Sequence, residues 1–363
     1  MNREQLLDKI HHGEPIRGVD ISDLDLDDAN LSGAVFEAVR FPRALRRALL
    51  KESIFNDCDF TACDASGADL HLAMFYRSKL EKARFDGGKL VAVSFAECAA
   101  DGASFTAIQA PIGNWVKTSL RSASFAGAML ERANFLEVDA HELSFVGANL
   151  DKATLYKADL RTADLTAANL TLTTIVEARL GAKSFAEARL FRTQFMRSDL
   201  VGASFAGVDC TQCNFMGADL RGASFAGAKG PQCFFGEARL GGANLVNGHF
   251  PQAVFEKAEL GKADLSGALL EEVYFGHALA AEARFRDARL RSADFSHADV
   301  TGADFTGAGL FRTKFHRAKR DGATLSRLAG WLGDDDDLAR IEGWRPKHGA
   351  ASPDQDSNER VER

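Results

Sequence analysis

The chain has 363 residues, enough for two average domains or for one long repeat array. A net charge of -7, with 26% charged and 46% hydrophobic residues, fits a folded soluble protein and argues against disorder. Its 27 Phe against 3 Tyr and 3 Trp point to a dry interior repeated many times.

No run approaches the ~18 apolar residues that a membrane-spanning helix needs. No basic stretch followed by an apolar one opens the chain, so the sequence predicts no signal peptide and a cytoplasmic protein. Six Cys in this length are no disulfide scaffold.

In chain order, Arg3 to His12 carries Leu6, Leu7 and Ile10 on one helical face, and residues 1–15 are predicted to form an N-terminal helical cap. A five-residue frame then starts at Ile21, Leu26, Leu31, Phe36 and Phe41, with Val19, Leu24, Ala29, Ala34 and Val39 two residues before each. Phe55 follows Phe41 by 14 residues, one short of three repeats. The segment 42–52, with Ala44, Leu45, Ala48 and Leu49 among Arg43, Arg46, Arg47 and Lys51, reads as a short basic helix bulging from the array. It is either a tolerated insertion or a docking knob built on Arg43, Arg46 and Arg47.

From Phe55 to Leu325 the frame does not slip: of 55 positions five apart, 22 are Phe and 22 are Leu. Two residues before these centres lies a smaller site, and 33 of 54 such positions from Cys58 to Ala323 are Ala. An α-helix turns by about 500° over such a step, so the set would spiral around it. In one long strand an odd period would alternate faces. A short extended piece with two inward residues and then a turn, stacked in a closed coil, buries Ala and Leu/Phe together. Beyond Leu325 the pattern stops. Leu328, Trp331, Leu332, Leu338, Ile341 and Trp344 suit capping helices over 328–345, with Asp334 to Asp337 at a helix N-terminus. Residues 346–363 read as a disordered polar tail.

The unit A-(D/N/S)-(L/F)-x-x, seen in Ala163-Asp164-Leu165 and Ala218-Asp219-Leu220, resembles the pentapeptide-repeat family over about three quarters of the chain. The resemblance implies an all-β solenoid: a right-handed quadrilateral β-helix over 16–327, four repeats per coil, with short helical caps. Its roughly 14 coils would span about 65 Å at the ~4.8 Å spacing of paired strands.

Nothing in the sequence supports catalysis: no G-x-S-x-G, H-E-x-x-H, P-loop or G-x-G-x-x-G stands in context, and no cofactor is expected. The register places all six Cys at inward sites as small hydrophobes. Cys210 and Cys213 mimic C-x-x-C, but no second pair accompanies them, so no metal is expected. His277 and His297 should stack on adjacent coils as surface residues. Lys183 is the one charge among the small inward sites and predicts a local bulge, a snorkelling amine or a buried amine with a partner.

A 20-residue coil sorts exposed residues onto four faces. On the face centred on Phe75 to Phe215, the residues after the centres are Tyr76, Ala96, Val116, Leu136, Tyr156, Val176, Met196 and Met216. Stacked, they make an apolar stripe of about 35 Å, which is either a partner surface or a stacking ladder. Beside it Arg77, Glu97, Lys117, Glu137, Lys157, Glu177 and Arg197 alternate in sign. The face centred on Phe105 to Phe225 is instead a wall of Ser, Ala, Gly and Thr that would admit another backbone or a second rod.

Some pentapeptide-repeat proteins resemble duplex DNA and protect DNA gyrase or topoisomerase IV, which requires dense negative charge. Here residues 51–330 sum to -1, the first 50 to -2 and the last 33 to -4, so the rod is nearly neutral. No basic track suits direct nucleic-acid binding either. The opening, Arg3-Glu4-Gln5-Leu6-Leu7 and Gly13-Glu14-Pro15-Ile16-Arg17-Gly18-Val19-Asp20-Ile21-Ser22, resembles the lead-in to pentapeptide-repeat segments of bacterial type VI secretion accessory proteins. The expectation is a non-catalytic protein-binding scaffold, an adaptor for a secretion effector or spike component. The alternatives are a DNA-mimicking protector of gyrase or topoisomerase IV, and a secreted bacterial effector. Dimerisation is open, and no membrane contact is expected.

Overall fold

The computed structural model describes residues 1–325 and 330–344. The Leu328 cap position and the 346–363 tail therefore lie outside the described residues. Helix α1 (Arg3–His11) starts with a capping box, in which Asn2 and Gln5 satisfy each other's backbone N–H, and it buries Leu6. Leu7 and Ile10 pack partly against the first coil.

After α1 the chain winds as a four-sided rod. On one face, strands of two or three residues form a nine-stranded parallel sheet in chain order, from β1 (Ile16–Arg17) to β9 (Thr174–Val176). From β3 (Ile54–Asn56) onward each strand pairs 20 residues on, as Phe55 does with Phe75 and Phe95 with Trp115. The other three faces carry isolated parallel bridges in rows that run from Asp20 to Lys319, from Ala44 to Thr324 and from Asn30 to Gly309. Past β9 the sheet face continues through single bridges, Thr174 to Gln194 and onward to Leu332. This is the parallel β-solenoid that the five-residue period predicts.

The core follows the register. Phe and Leu centres and the Ala sites between them are buried along the rod, and Phe rings on successive coils stack, for example Phe205 on Phe225 at 4.6 Å. That spacing matches the strand separation, so burial and backbone pairing reinforce one register. Where Ser or Thr replaces Ala, the hydroxyl turns to a carbonyl 23 residues earlier: Thr173 to Leu150 at 2.7 Å, Thr193 to Leu170 at 2.8 Å, Thr313 to Leu290 at 2.7 Å. A buried hydroxyl is thereby satisfied without leaving the rod.

Two exceptions to the frame are filled from next door. At the centre held by Gly230, a Cβ would come within 2.5 Å of the Phe250 ring, which occupies the vacated space. Arg320, the one charged centre, lies at the rod end over the Trp331 ring at 5.5 Å.

The segment 42–52 corrects the expectation of a helix. Phe41 stacks on Phe60 at 4.0 Å, and Leu45, Ala48 and Leu50 are buried in register with the coils around them. The missing residue is absorbed between Phe41 and Leu45, so this coil alone pairs over 19 residues, Phe36 with Phe55. Deleting one residue from a corner shortens a turn, whereas a helix there would have expelled three inward side chains from the core.

A candidate protein-binding face

The sheet face brings the predicted stripe together. Register pairs Tyr76 with Ala96, Val116 with Leu136 and Tyr156 with Val176 on adjacent strands. Tyr76 and Met216 are exposed, while Val116, Leu136, Tyr156 and Met196 are half-buried by their neighbours. Val176 is buried at 9% exposure, so it supports the stripe from beneath and does not offer surface.

Two aromatics that the sequence reading passed over extend the apolar track. Phe234 and Tyr274 sit before their centres on this same face and lie across the positions after them. A Cβ on Gly236 would meet Phe234 at 2.5 Å, and one on Gly276 would meet the Tyr274 ring at 2.2 Å. The signal was present in the sequence: glycine replaces the apolar residue of the stripe wherever an aromatic stands two places earlier. Met74, 52% exposed beside Tyr76, belongs to the same patch.

The flanking charges pair along the rod, Arg77 with Glu97 at 3.1 Å and Glu177 with both Arg197 at 3.2 Å and Lys157 at 3.8 Å. Arg77 and Lys157 also lie over the Tyr76 and Tyr156 rings at 4.8 and 5.1 Å. Cations over ring faces hold the tyrosines flat against the rod.

The predicted arginine knob is not assembled. Arg46 forks onto Asp27 at 2.6 and 2.9 Å, and Arg47 onto Asp28 at 2.6 and 2.7 Å, both one coil down. Arg43 is exposed apart from them. Bidentate pairing commits two of the three cations within the rod.

This coil geometry, with Ala or a small residue and then Leu or Phe turned inward every five positions, decides the family. The chain belongs to the pentapeptide-repeat family. A model described as "Pentapeptide repeats" matches in 8 copies over residues 53–90, 118–155, 144–181, 193–229, 235–271 and 268–307. A search of curated proteins finds no match. Among solved structures, the pentapeptide-repeat protein HetL of the cyanobacterium Nostoc, involved in regulating heterocyst differentiation, is 23% identical. The alignment covers 86% of this chain and 96% of HetL, with a TM-score of 0.26. The plasmid-mediated fluoroquinolone resistance protein QnrB1 is 18% identical over 60% of this chain and 94% of its own, with a TM-score of 0.29. A pentapeptide-repeat protein of the Arabidopsis thaliana thylakoid lumen is 23% identical over 40% of this chain and 74% of its own, with a TM-score of 0.17. Family membership rests on the repeats themselves and not on these superpositions.

Within this pentapeptide-repeat rod, chemistry finds little purchase. All six Cys are buried and free, and burial pushes the Cys58 thiol up to about 11 and those of Cys63 and Cys98 up to about 12. Thiols sealed in an apolar core in this way behave as small hydrophobic side chains. His277 stacks on His297 at 4.8 Å as expected. The sequence reading missed what His297 meets next. Glu342, on helix α2 (Asp336–Glu342), takes His297 Nε2 at 3.1 Å, His316 Nε2 at 3.3 Å and Arg317 Nη1 at 3.0 Å.

Two histidines and a carboxylate within 4.8 Å of one another could hold a divalent ion. However, the buried His316 accepts the Asp335 N–H on Nδ1 at 3.0 Å, so in the neutral ring its proton sits on Nε2. With that proton and the Arg317 guanidinium already facing the carboxylate, the cluster works as a clasp for the cap helix. Asp335 also caps α2 by accepting from Asp337 and Leu338 at 3.0 Å.

Lys183 breaks the coil locally. It lies half-buried, and its ammonium donates to the Ala163 carbonyl, which on a regular coil would receive the N–H of Ser184. Burial lowers its pKa, and Asp164 opposes that shift. A shallow groove opens there, lined by Ala163, Asp164, Leu180, Gly181 and Ser184. Among the described residues, no helix is long and apolar enough to cross a membrane.

Proposed function

We propose that this chain is a non-catalytic scaffold that binds protein through the sheet face, as a cytoplasmic adaptor of bacterial type VI secretion. The observation that carries the reading is the apolar track from Met74 and Tyr76 to Tyr274 along the sheet face, flanked by a row of charges that alternate in sign. The secretion role adds the lead-in residues Arg3 to Ser22 and rests on their resemblance alone. A rod summing to -1 over residues 51–330 favours this reading over a DNA-mimicking gyrase protector.

Because Val176 is buried, the test spares it and uses Tyr76→Glu with Tyr156→Glu and Met216→Glu. Affinity capture from native lysate should retain spike or effector components with wild type and lose them with the triple variant at unchanged circular dichroism. Capture of gyrase or topoisomerase IV subunits, with protection in a supercoiling assay, would establish the protector role instead. Equal capture by both proteins would remove the face from consideration.

A further inference from the structure

Resting on the reading that the sheet face binds protein, we propose that it takes a second copy of this chain. The two rods pack antiparallel and face to face, about a twofold axis that runs along the strand direction between the coils of Lys117 and Glu137. Eight residues beside the stripe alternate in sign without a break: Asp57, Arg77, Glu97, Lys117, Glu137, Lys157, Glu177 and Arg197. All eight hold φ between 48 and 55°, and each donates its N–H to the coil above, as Arg77 does to Ala96 at 3.0 Å and Glu137 to Tyr156 at 2.9 Å. They therefore project from the same backbone conformation at coil spacing, a fixed ruler of charge.

A twofold axis lying in the contact plane and running along the strand direction reverses the rod and sets this row against itself. With the axis midway between Lys117 and Glu137, Asp57 faces Arg197 of the second copy, Arg77 faces Glu177, Glu97 faces Lys157 and Lys117 faces Glu137. Symmetry repeats each pair, and every pair is opposite in sign. A slip of one coil sets Arg77 against Arg197 and Glu97 against Glu177, so like charges penalise it. A parallel pairing about the rod axis would set the row against Met74, Ser94, Asn114 and Asn134, none of them charged. A slip of two coils restores opposite signs but leaves only six of the eight residues facing one another, so charge selects the direction and excludes odd slips, and full overlap of the row favours this register.

The stripe fits the same register. Val116 meets Leu136 of the second copy, the small Ala96 meets the large Tyr156, and Tyr76 lies over the coil in which Val176 is buried. Eight coils of one face cover roughly 400 Å² per copy at the ~4.8 Å strand spacing, which puts the dimer in the weak class below ~1,200 Å² in total. Its dissociation constant is expected on the order of tens of micromolar, weakening with salt.

Glu97 and Lys157 supply the test. On one rod they lie three coils apart, ~14 Å, beyond the screening length of ~8 Å at physiological salt. Any coupling between them in self-association must therefore act across two rods. Sedimentation equilibrium of the full chain from micromolar to several hundred micromolar should show a monomer–dimer transition. Glu97→Arg and Lys157→Glu should each weaken it about tenfold, and the double variant E97R/K157E should recover to within about threefold of wild type. Unchanged thermal melts of the single variants would show that the fold is not what failed. A wild-type chain that stays monomeric throughout, or single-variant losses that simply add in the double variant, would overturn the proposal. If that monomer still captured a heterologous protein through the stripe, the second copy would be the wrong occupant while the protein-binding reading stood.

Discussion

The lower and upper parts of the rod share one repeat unit but are joined by a stretch that is built differently. Below residue 150, rings stack in columns such as Phe75, Phe95, Trp115 and Phe135, and Phe85, Phe105 and Phe125. Above residue 184, columns resume as Phe185, Phe205 and Phe225, and as Phe195, Phe215, Phe235 and Phe255. Between them the centres are Leu150, Leu155, Leu160, Leu165, Leu170, Ile175 and Leu180, all buried and none aromatic.

The bridge rows mark the same place. Among the described residues, each of the three bridged faces lacks a rung at this joint: Asp139 with Asp159, Asp164 with Ser184, and Arg189 with Asp209; the second face lacks one more, Asp25 with Ala44, beside the shortened corner. Three surface grooves line up with the gaps at the joint, around His141 and Thr162, around Lys183, and around Ala188 and Val208. At the first gap two like charges would face each other, and Glu142 donates its N–H to the Thr162 hydroxyl at 2.9 Å. At the second the Lys183 ammonium has taken the carbonyl. Only the sheet face crosses the joint without interruption, through β8 (Thr154–Tyr156), β9 and Gln194. Leucine buries area as well as phenylalanine does but offers no flat ring to lock coil on coil, so backbone register is held less firmly there.

The largest expected effect probes the core on the two sides of that difference. Phe125→Ala should cost about 3–5 kcal/mol, and Leu165→Ala, at a joint that can relax around the cavity, should fall toward the lower end of about 2–5 kcal/mol. Chemical denaturation of both would decide; a larger loss for Leu165 would show the joint to be the stiffer part.

Lys183→Ala should act in the opposite direction. It removes a half-buried amine and lets the Ser184 N–H reach the Ala163 carbonyl, for a gain of about 1–2 kcal/mol in stability. Hydrogen exchange at Ser184 and Leu165 should slow together with that gain. A destabilised variant would mean that the ammonium bond outweighs the rung it replaces.

The smallest effect is spread over the surface. Hydrogen bonds from Arg221 and from Arg161 hold the carboxyls of Asp219 and Asp159 below their ordinary value. A depressed carboxylate contributes stability above the unfolded value of ~3.9 and loses it as pH falls through the lower folded value. Melting temperature should therefore be flat from neutrality to about pH 5 and decline below pH 4. Because both pairs are exposed, each should contribute no more than ~1 kcal/mol. A decline that began well above pH 5 would show that these carboxylates do not set the acid limit of the fold.

The fold was legible because one distance does two things. Five residues advance the chain by one side of the coil, so the identity of Phe55, Leu70 or Leu220 already says which way it points. The same counting placed the cysteines, the charge row and the stripe, and it brought His277 onto His297. It failed where a residue is judged by what stands on the next coil. Val176 is an apolar residue at an outward position, and only its neighbours bury it. Arg46 and Arg47 look like a free basic cluster until Asp27 and Asp28 appear beneath them.

What the sequence by itself determined is therefore the period, the inward set and the family, since each depends on spacing within one repeat. The tertiary structure decided the rest: the shortened corner in place of a helix at 42–52, the clasp that Glu342 closes on His297 and His316, and the joint around Lys183. Those depend on contacts between residues that lie 19, 20, 26 or 45 positions apart, where one local insertion or one oversized side chain changes the partner. Pairing of that kind is set by the stacked backbone, and no reading along the chain supplies it.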